Sequence, residues 1–158
     1  MQKNTQFITH TAFIATVYVV LTYASSLFGL SSGVIQVRFS EALTVLPVFT
    51  PAAIPGLCIG CFLSNLLTGC AFWDIIFGTF ATLIGAIGTY FLRKKPYAAP
   101  IPPIISNMII IPFILHLVYQ LPGGIFFFML TVGAGEIISC GVLGMILYTA
   151  LKKTNIKF

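Results

Sequence analysis

A compact, all-α bundle of six transmembrane helices is the fold this sequence predicts, and three observations carry that expectation. Hydrophobic residues make up 58% of the 158-residue chain and charged residues only 7%, against roughly 25% charged residues in a soluble globular protein. Mean hydropathy is +1.05, so the chain lacks the polar residues to cover itself in water. Lastly, apolar runs near the roughly 20 residues that a spanning helix needs recur along the whole length. Residues 1–158 read as a single membrane domain, with no segment suggesting a second, soluble one.

The first helix is placed at 8–29. Its run from Phe7 to Leu30 has a short basic lead and no convincing small-residue cleavage site, which argues for a retained helix rather than a signal peptide. Thr11, Ala12, Ala15 and Thr16 form a small-residue patch on it, suited to close packing or to contact with another subunit. Thr22, Ser25 and Ser26 interrupt its later part. A second, short span is placed at 34–49, and Pro47, Pro51 and Pro55 blur its junction with the third at 52–69. The remaining spans are placed at 74–92, 101–119 and 125–151. Small faces in the fourth (Gly78, Thr82, Gly85, Ala86, Gly88) and sixth (Gly133, Ala134, Gly141, Gly144) suit helix packing.

An even number of spans puts both termini on one side. Lys3, Arg93-Lys94-Lys95, and Lys152, Lys153 and Lys157 then share that side, which the positive-inside rule makes cytoplasmic. The connections at 30–33, 70–73 and 120–124 fall on the outer face. The net charge of +5 is thus a topology signal and a contact for membrane lipids, not a nucleic-acid surface. Cys58, Cys61, Cys70 and Cys140 set no disulfide framework, and the C-x-x-C of the first two lies within a hydrophobic helix. His10 and His116 are isolated, so no metal site and no cofactor are expected. Without a phosphate-binding loop the chain is not read as an enzyme, and ATP hydrolysis would belong to partner subunits.

Charged groups at membrane depth are costly unless paired, hydrated or used. Arg38 and Glu41, three residues apart, share a helical face and suit either a local ion pair or a ligand near the outer mouth. Asn65 and Thr68 approach that mouth from the third span. Trp73 and Asp74 serve either as interface anchor and helix cap or as a stacking face and carboxylate for a planar nitrogen heterocycle. Glu136, about three turns into the last span, fits a buried structural hydrogen bond, substrate recognition or proton coupling. Asn107 either orients its helix or contacts substrate, and Tyr119 and Gln120 stand where they could close a cavity beside Gly123 and Gly124.

The run Val37-Arg38-Phe39-Ser40-Glu41-Ala42-Leu43-Thr44-Val45-Leu46-Pro47, followed by Gly56, Gly60, Ser64 and Asn65, resembles the queuosine-precursor transporter family. Trp73-Asp74, Ser106-Asn107 and the 133–136 segment extend the resemblance over nearly the whole chain. It implies a substrate-binding S component of an energy-coupling factor (ECF) transporter, working with a transmembrane scaffold and two ABC-type ATPases. Helix one would supply the docking contact through Thr11, Ala12, Ala15 and Thr16, although alanines four apart are absent. The implied substrate is a 7-deazapurine such as queuine or its aminomethyl precursor. Glu136 and Asp74 lead as its ligands, then Glu41, with Arg38, Asn65, Asn107, Trp73 and Gln120 completing the set. Two alternatives stand beside it: a cobalamin-specific S component, because a related group is associated with cobalamin, and a membrane assembly subunit that binds no substrate.

Overall fold

The computed structural model describes residues 2–30 and 35–154, with side chains from Asn4 onward. The connection expected at 30–33 therefore lies mostly outside the described residues, as do Lys157 and the side chain of Lys3. Every regular element among the described residues is helical. These are α1 (Gln2–Leu27), a 3₁₀ helix (Phe39–Val48), α2 (Ala53–Leu67), α3 (Phe72–Phe91) and α4 (Ile101–Leu117), the last preceded by a 3₁₀ turn at Pro96–Ala98. A final rod joins α5 (Ile125–Glu136), a π-helical stretch (Ile137–Leu143) and α6 (Gly144–Lys153).

Four helices are long and apolar enough to cross a bilayer: Asn4–Leu27, Phe72–Phe91, Pro96–Leu117 and Ile125–Lys153. The chain is a multi-pass membrane protein. The other two apolar helices are shorter. The fifteen residues of α2 extend about 22 Å at 1.5 Å per residue. The ten residues of the 3₁₀ helix extend about 20 Å at 2.0 Å per residue. Each is short of the roughly 30 Å hydrocarbon layer.

The second span differs most from its expected form. Helix begins at Phe39 instead of 34, because Arg38 is extended (φ −107°, ψ 117°). From Phe39 to Val48 the backbone is wound as 3₁₀, although runs beyond three or four residues are uncommon. This segment packs against α1, α2, α3, the π-helical stretch and α6. Ser40, Glu41, Leu43, Thr44, Val45, Leu46 and Pro47 are all buried there. It is buried between α1, α2, α3 and the second half of the final rod. Pro47, with no N–H to donate, sits near its end.

Packing is small-residue inward and large-residue outward. Gly60 brings α2 onto α1 so closely that a Cβ there would lie 2.7 Å from Tyr18 Cβ. Gly85 likewise brings α3 against Pro103 of α4, and the Ser106 hydroxyl donates to the Ala81 carbonyl at 2.9 Å across the same contact. Phe13, Val20, Phe62, Phe80, Phe91, Ile105 and Phe126 point outward, which suits a lipid surround rather than water. Consecutive helices run in alternate directions, so the loop with Arg93, Lys94 and Lys95 shares one end of the bundle with Lys152 and Lys153. Tyr97 and Tyr148 meet edge to face at 6.4 Å there. Arg38, Asn65 and Asp74 belong to the opposite half.

Candidate functional site

The extended residues before the 3₁₀ helix pass against the final rod, and Gly135 permits it: a Cβ at that position would run into the Gln36 carbonyl. The Arg38 N–H donates to Ser139 Oγ at 3.2 Å, which fixes this segment on the π-helical stretch. From that backbone the Arg38 guanidinium reaches inward and donates through Nη1 to Asn65 Oδ1 at 3.2 Å. Glu41, one turn on and 2% exposed, accepts a hydrogen bond from the Tyr18 hydroxyl. Arg38 is thus held by Asn65 and Glu41 by Tyr18. Both groups also line one cavity, where their opposite charges act on each other.

Glu136 enters the same space from the last turn of α5. Its Oε1 accepts from Asn107 Nδ2 at 3.0 Å, and its Oε2 accepts from the Cys140 thiol at 3.1 Å. Arg38, Glu41, Asn107 and Glu136 together line a cavity of about 30 Å³, whose wall is completed by Gln36, Cys61, Gly78, Thr82, Ile111 and Val132. That volume holds a water molecule or two and is an order of magnitude below the roughly 300–1,000 Å³ of ordinary small-molecule pockets. One guanidinium faces two carboxylates, so the wall has more acceptors than cationic donors. Glu41, Glu136 and Cys140 bring donor atoms within 4.8 Å of one another, a spacing that a cation could bridge. Their hydrogen bonds to Tyr18 and Asn107 already occupy part of that donor set.

Asp74 stands close by, in the first turn of α3 and 7% exposed. The N-cap position of that helix is Ala71, three residues earlier. Asp74 accepts from the Tyr119 hydroxyl at 2.9 Å, while Tyr119 Oη accepts from the Ala71 N–H at 3.0 Å. This latch ties the connection before α3 to the one after α4. Burial pushes the Tyr119 hydroxyl up to about 12, so it stays a donor across the physiological range. Asn65 and Asp74 both approach Gly78: a Cβ there would lie 3.1 Å from Asn65 Nδ2 and 3.5 Å from Asp74 Oδ1.

Two candidate residues are placed elsewhere. Trp73 is 53% exposed, stacks on Phe77 with centroids 5.9 Å apart and lines an outward-facing apolar groove with Ile109 and Phe113. Gln120 is exposed in the turn after α4 and adopts a positive φ of 50°. The α1 patch divides as well. Thr11 donates to the Ala52 carbonyl at 3.2 Å, and Ala15 is buried beside Gly60. Ala12 and Thr16 are exposed, joined by a Thr16 hydroxyl bond to the Ala12 carbonyl at 2.9 Å.

Sequence reading missed Tyr18, Gln36, Cys61, Thr82 and Cys140 as parts of this site. Two signals were available: Cys140 lies one helical turn beyond Glu136, and Tyr18 begins an i, i+4, i+7 series of hydroxyls with Thr22 and Ser25. The others reach the cavity only through packing.

Residues 8–153 match a family described as QueT transporter. Over 83 residues the chain is 36% identical to the protein named Queuosine precursor transporter QueT of Lactococcus lactis subsp. cremoris (strain MG1363). That match covers 52% of this chain and 48% of the relative, about half the length of each. No solved structure matches the chain.

Proposed function

The chain belongs to the QueT transporter family, and from that premise we propose that it captures a queuosine precursor or related 7-deazapurine for uptake, as the substrate-binding subunit of an ATP-driven ECF transporter. The observation that carries this reading is the cavity where Glu41, Glu136, Asn107 and Arg38 converge inside the bundle. A guanine-like edge presents adjacent ring and exocyclic N–H donors, and a carboxylate accepts from both at once. In this reading Glu136 takes that edge, and Asn107 serves a ring nitrogen or carbonyl. Arg38 serves the remaining acceptor. Glu41 suits an amine substituent, because a buried carboxylate gains most from a cationic partner. Asp74 and Tyr119 close the end through which the ligand enters. Trp73 and Gln120 belong to the entry surface.

The cavity must widen to take a heterocycle. The latch through Ala71, Asp74 and Tyr119 is the element whose release parts the walls at lowest cost, since it joins two connections rather than two packed helices. The 3₁₀ helix and α2 complete six crossings, with the end bearing Arg93 and Lys152 in the cytoplasm and both termini there. Exposed Ala12 and Thr16 on α1 offer a small, flat face to a transmembrane scaffold, and two ABC-type ATPases supply the directional bias that binding alone cannot.

Uptake of labelled 7-deazapurines into cells lacking their own route tests the whole reading. Co-expression with the scaffold and ATPases is expected to give accumulation, and an inactive ATPase to abolish it while leaving binding intact. Accumulation that survives loss of the ATPases would rule out the ECF arrangement. Accumulation of cobalamin instead would rule out the substrate.

A further inference from the structure

We infer that Tyr18, Thr22 and Ser25 of α1 form a positioning ladder that sets the orientation of the Arg38–Glu41 segment, making α1 the support behind two groups that line the substrate cavity and not a packing helix alone. This rests on the reading of that cavity as the substrate site. The three residues lie along one helical face at i, i+4 and i+7 and are 0%, 3% and 0% exposed. Each meets the neighbouring segment in antiparallel register. The Tyr18 hydroxyl donates to Glu41 Oε1. Thr22 Oγ1 lies 2.8 Å from Ser40 Oγ. Ser25 Oγ accepts the Phe39 N–H at 2.8 Å while donating to the Leu21 carbonyl at 2.9 Å.

The rungs do what helix packing alone does not require. An apolar face on α1 would fill the same space, and buried hydroxyls are tolerated in lipid-embedded helices only when partnered. All three partners lie in the four residues that carry Arg38 and Glu41 to the cavity. The far side of that segment is fixed as well, by Ser139 on the Arg38 N–H and by the Thr44 hydroxyl 3.3 Å from Cys140 Sγ. The segment is therefore clamped from two directions. Tyr18 can move only with α1, because Gly60 packs against its Cβ. A displacement of α1 thus changes the orientation of the Glu41 carboxylate directly.

Glu41 is the group whose behaviour reports this. Tyr18 from α1, Cys61 from α2, and Glu136 with Cys140 from the final rod face it, along with Arg38 on its own segment. Asp74 of α3 acts on it through Arg38. The test uses the full chain, purified in detergent, with Tyr18→Phe, Thr22→Val, Thr22→Ser and Glu41→Gln. Two quantities are read: affinity for aminomethyl-7-deazaguanine as a function of pH, and the infrared carboxyl band that Glu41→Gln removes. Tyr18→Phe is expected to shift the Glu41 band and its titration, and to weaken binding roughly tenfold, as loss of one buried hydrogen bond does. In the Glu41→Gln background the same change should have little further effect. Thr22→Val should shift the band in the same way, and Thr22→Ser should restore it; this pair decides the matter if Tyr18→Phe does not fold. An unchanged Glu41 band and pH profile, with only thermal stability lowered, would overturn the ladder and leave α1 a packing helix. A wild-type protein that binds no deazapurine would instead overturn the proposed substrate, and the infrared band would still decide the ladder.

Discussion

Glu136 is the only carboxylate that the final rod contributes, and both of its oxygens are engaged, one by Asn107 and one by Cys140. A ligand edge entering the cavity competes with those two donors, so its gain is the difference between a guanine-like pair of N–H groups and an amide plus a thiol. The thiol is the weaker donor and the one most readily displaced. Glu136→Gln keeps the shape but replaces one acceptor oxygen by a donor, and it is expected to weaken deazapurine binding roughly 10- to 100-fold, with calorimetry as the measurement. Tyr119 invites a pH test at the same scale. Its folded value of about 12 lies above the ordinary 10.0, so the protonated hydroxyl is favoured by the fold. The stabilisation is complete below pH 10 and disappears as pH rises through about 12. Thermal unfolding of wild type should therefore fall over that interval more steeply than that of Tyr119→Phe.

The segment from Gln36 to Val48 is the element on which the site depends, and it was the least legible in the sequence. Hydropathy located an apolar stretch at 34–49, but hydropathy counts side chains and is blind to winding. Phe39–Val48 is wound as a ten-residue 3₁₀ helix with Pro47 inside it, and seven of its residues are buried. The π-helical stretch at Ile137–Leu143 escaped for the same reason. It packs directly on the 3₁₀ helix, so an overwound element and an underwound one meet where Ser139 and Cys140 reach Arg38 and Thr44. The placements of α3 and α4 were readable to within two residues, whereas α1 begins at Gln2 instead of 8 and the prolines blurred the approach to α2. Gly135 tests the account of the entry segment. Gly135→Ala should displace Gln36 and cost about 1–3 kcal/mol of stability, together with loss of ligand affinity. Gly141→Ala, whose added Cβ meets only its own helix's Ile137 at 3.8 Å, should leave both nearly unchanged. Thermal unfolding and binding on the same preparations compare them.

At the scale of the whole molecule, the bundle separates two tasks by end and by face. Its lipid-facing surface carries Phe, Ile and Leu, while its interior carries Gly, Ala, Ser and Thr. The cavity groups occupy one half, and the basic residues 93–95 and 152–153 mark the opposite end. That polarity was legible from charge spacing alone, whereas of the cavity's wall the charged members and Asn107 were legible and Gln36 was not. Ionisable and amide residues at membrane depth stand out in any apolar run, so Arg38, Glu41, Asn107 and Glu136 could be singled out. Cys61 and Thr82 could not, because their types are ordinary in membrane helices and only tertiary packing turns them inward. Trp73 had the reverse fate: aromatic and next to an acid, it looked like a stacking face, yet its side chain lies along the outer surface of α3. The polarity predicts that reporter domains fused to either terminus report the cytoplasm, and that a label placed between 120 and 124 is reached from outside.

In the proposed function, the cavity of Glu41, Glu136, Asn107 and Arg38 recognises a 7-deazapurine. The most direct measurement is equilibrium binding to the purified chain, comparing queuine, its aminomethyl precursor, queuosine and cobalamin, for wild type and Glu136→Gln. Saturable, selective deazapurine binding that falls with Glu136→Gln is the predicted result. Selective cobalamin binding, or deazapurine affinity untouched by Glu136→Gln in a folded protein, would contradict it.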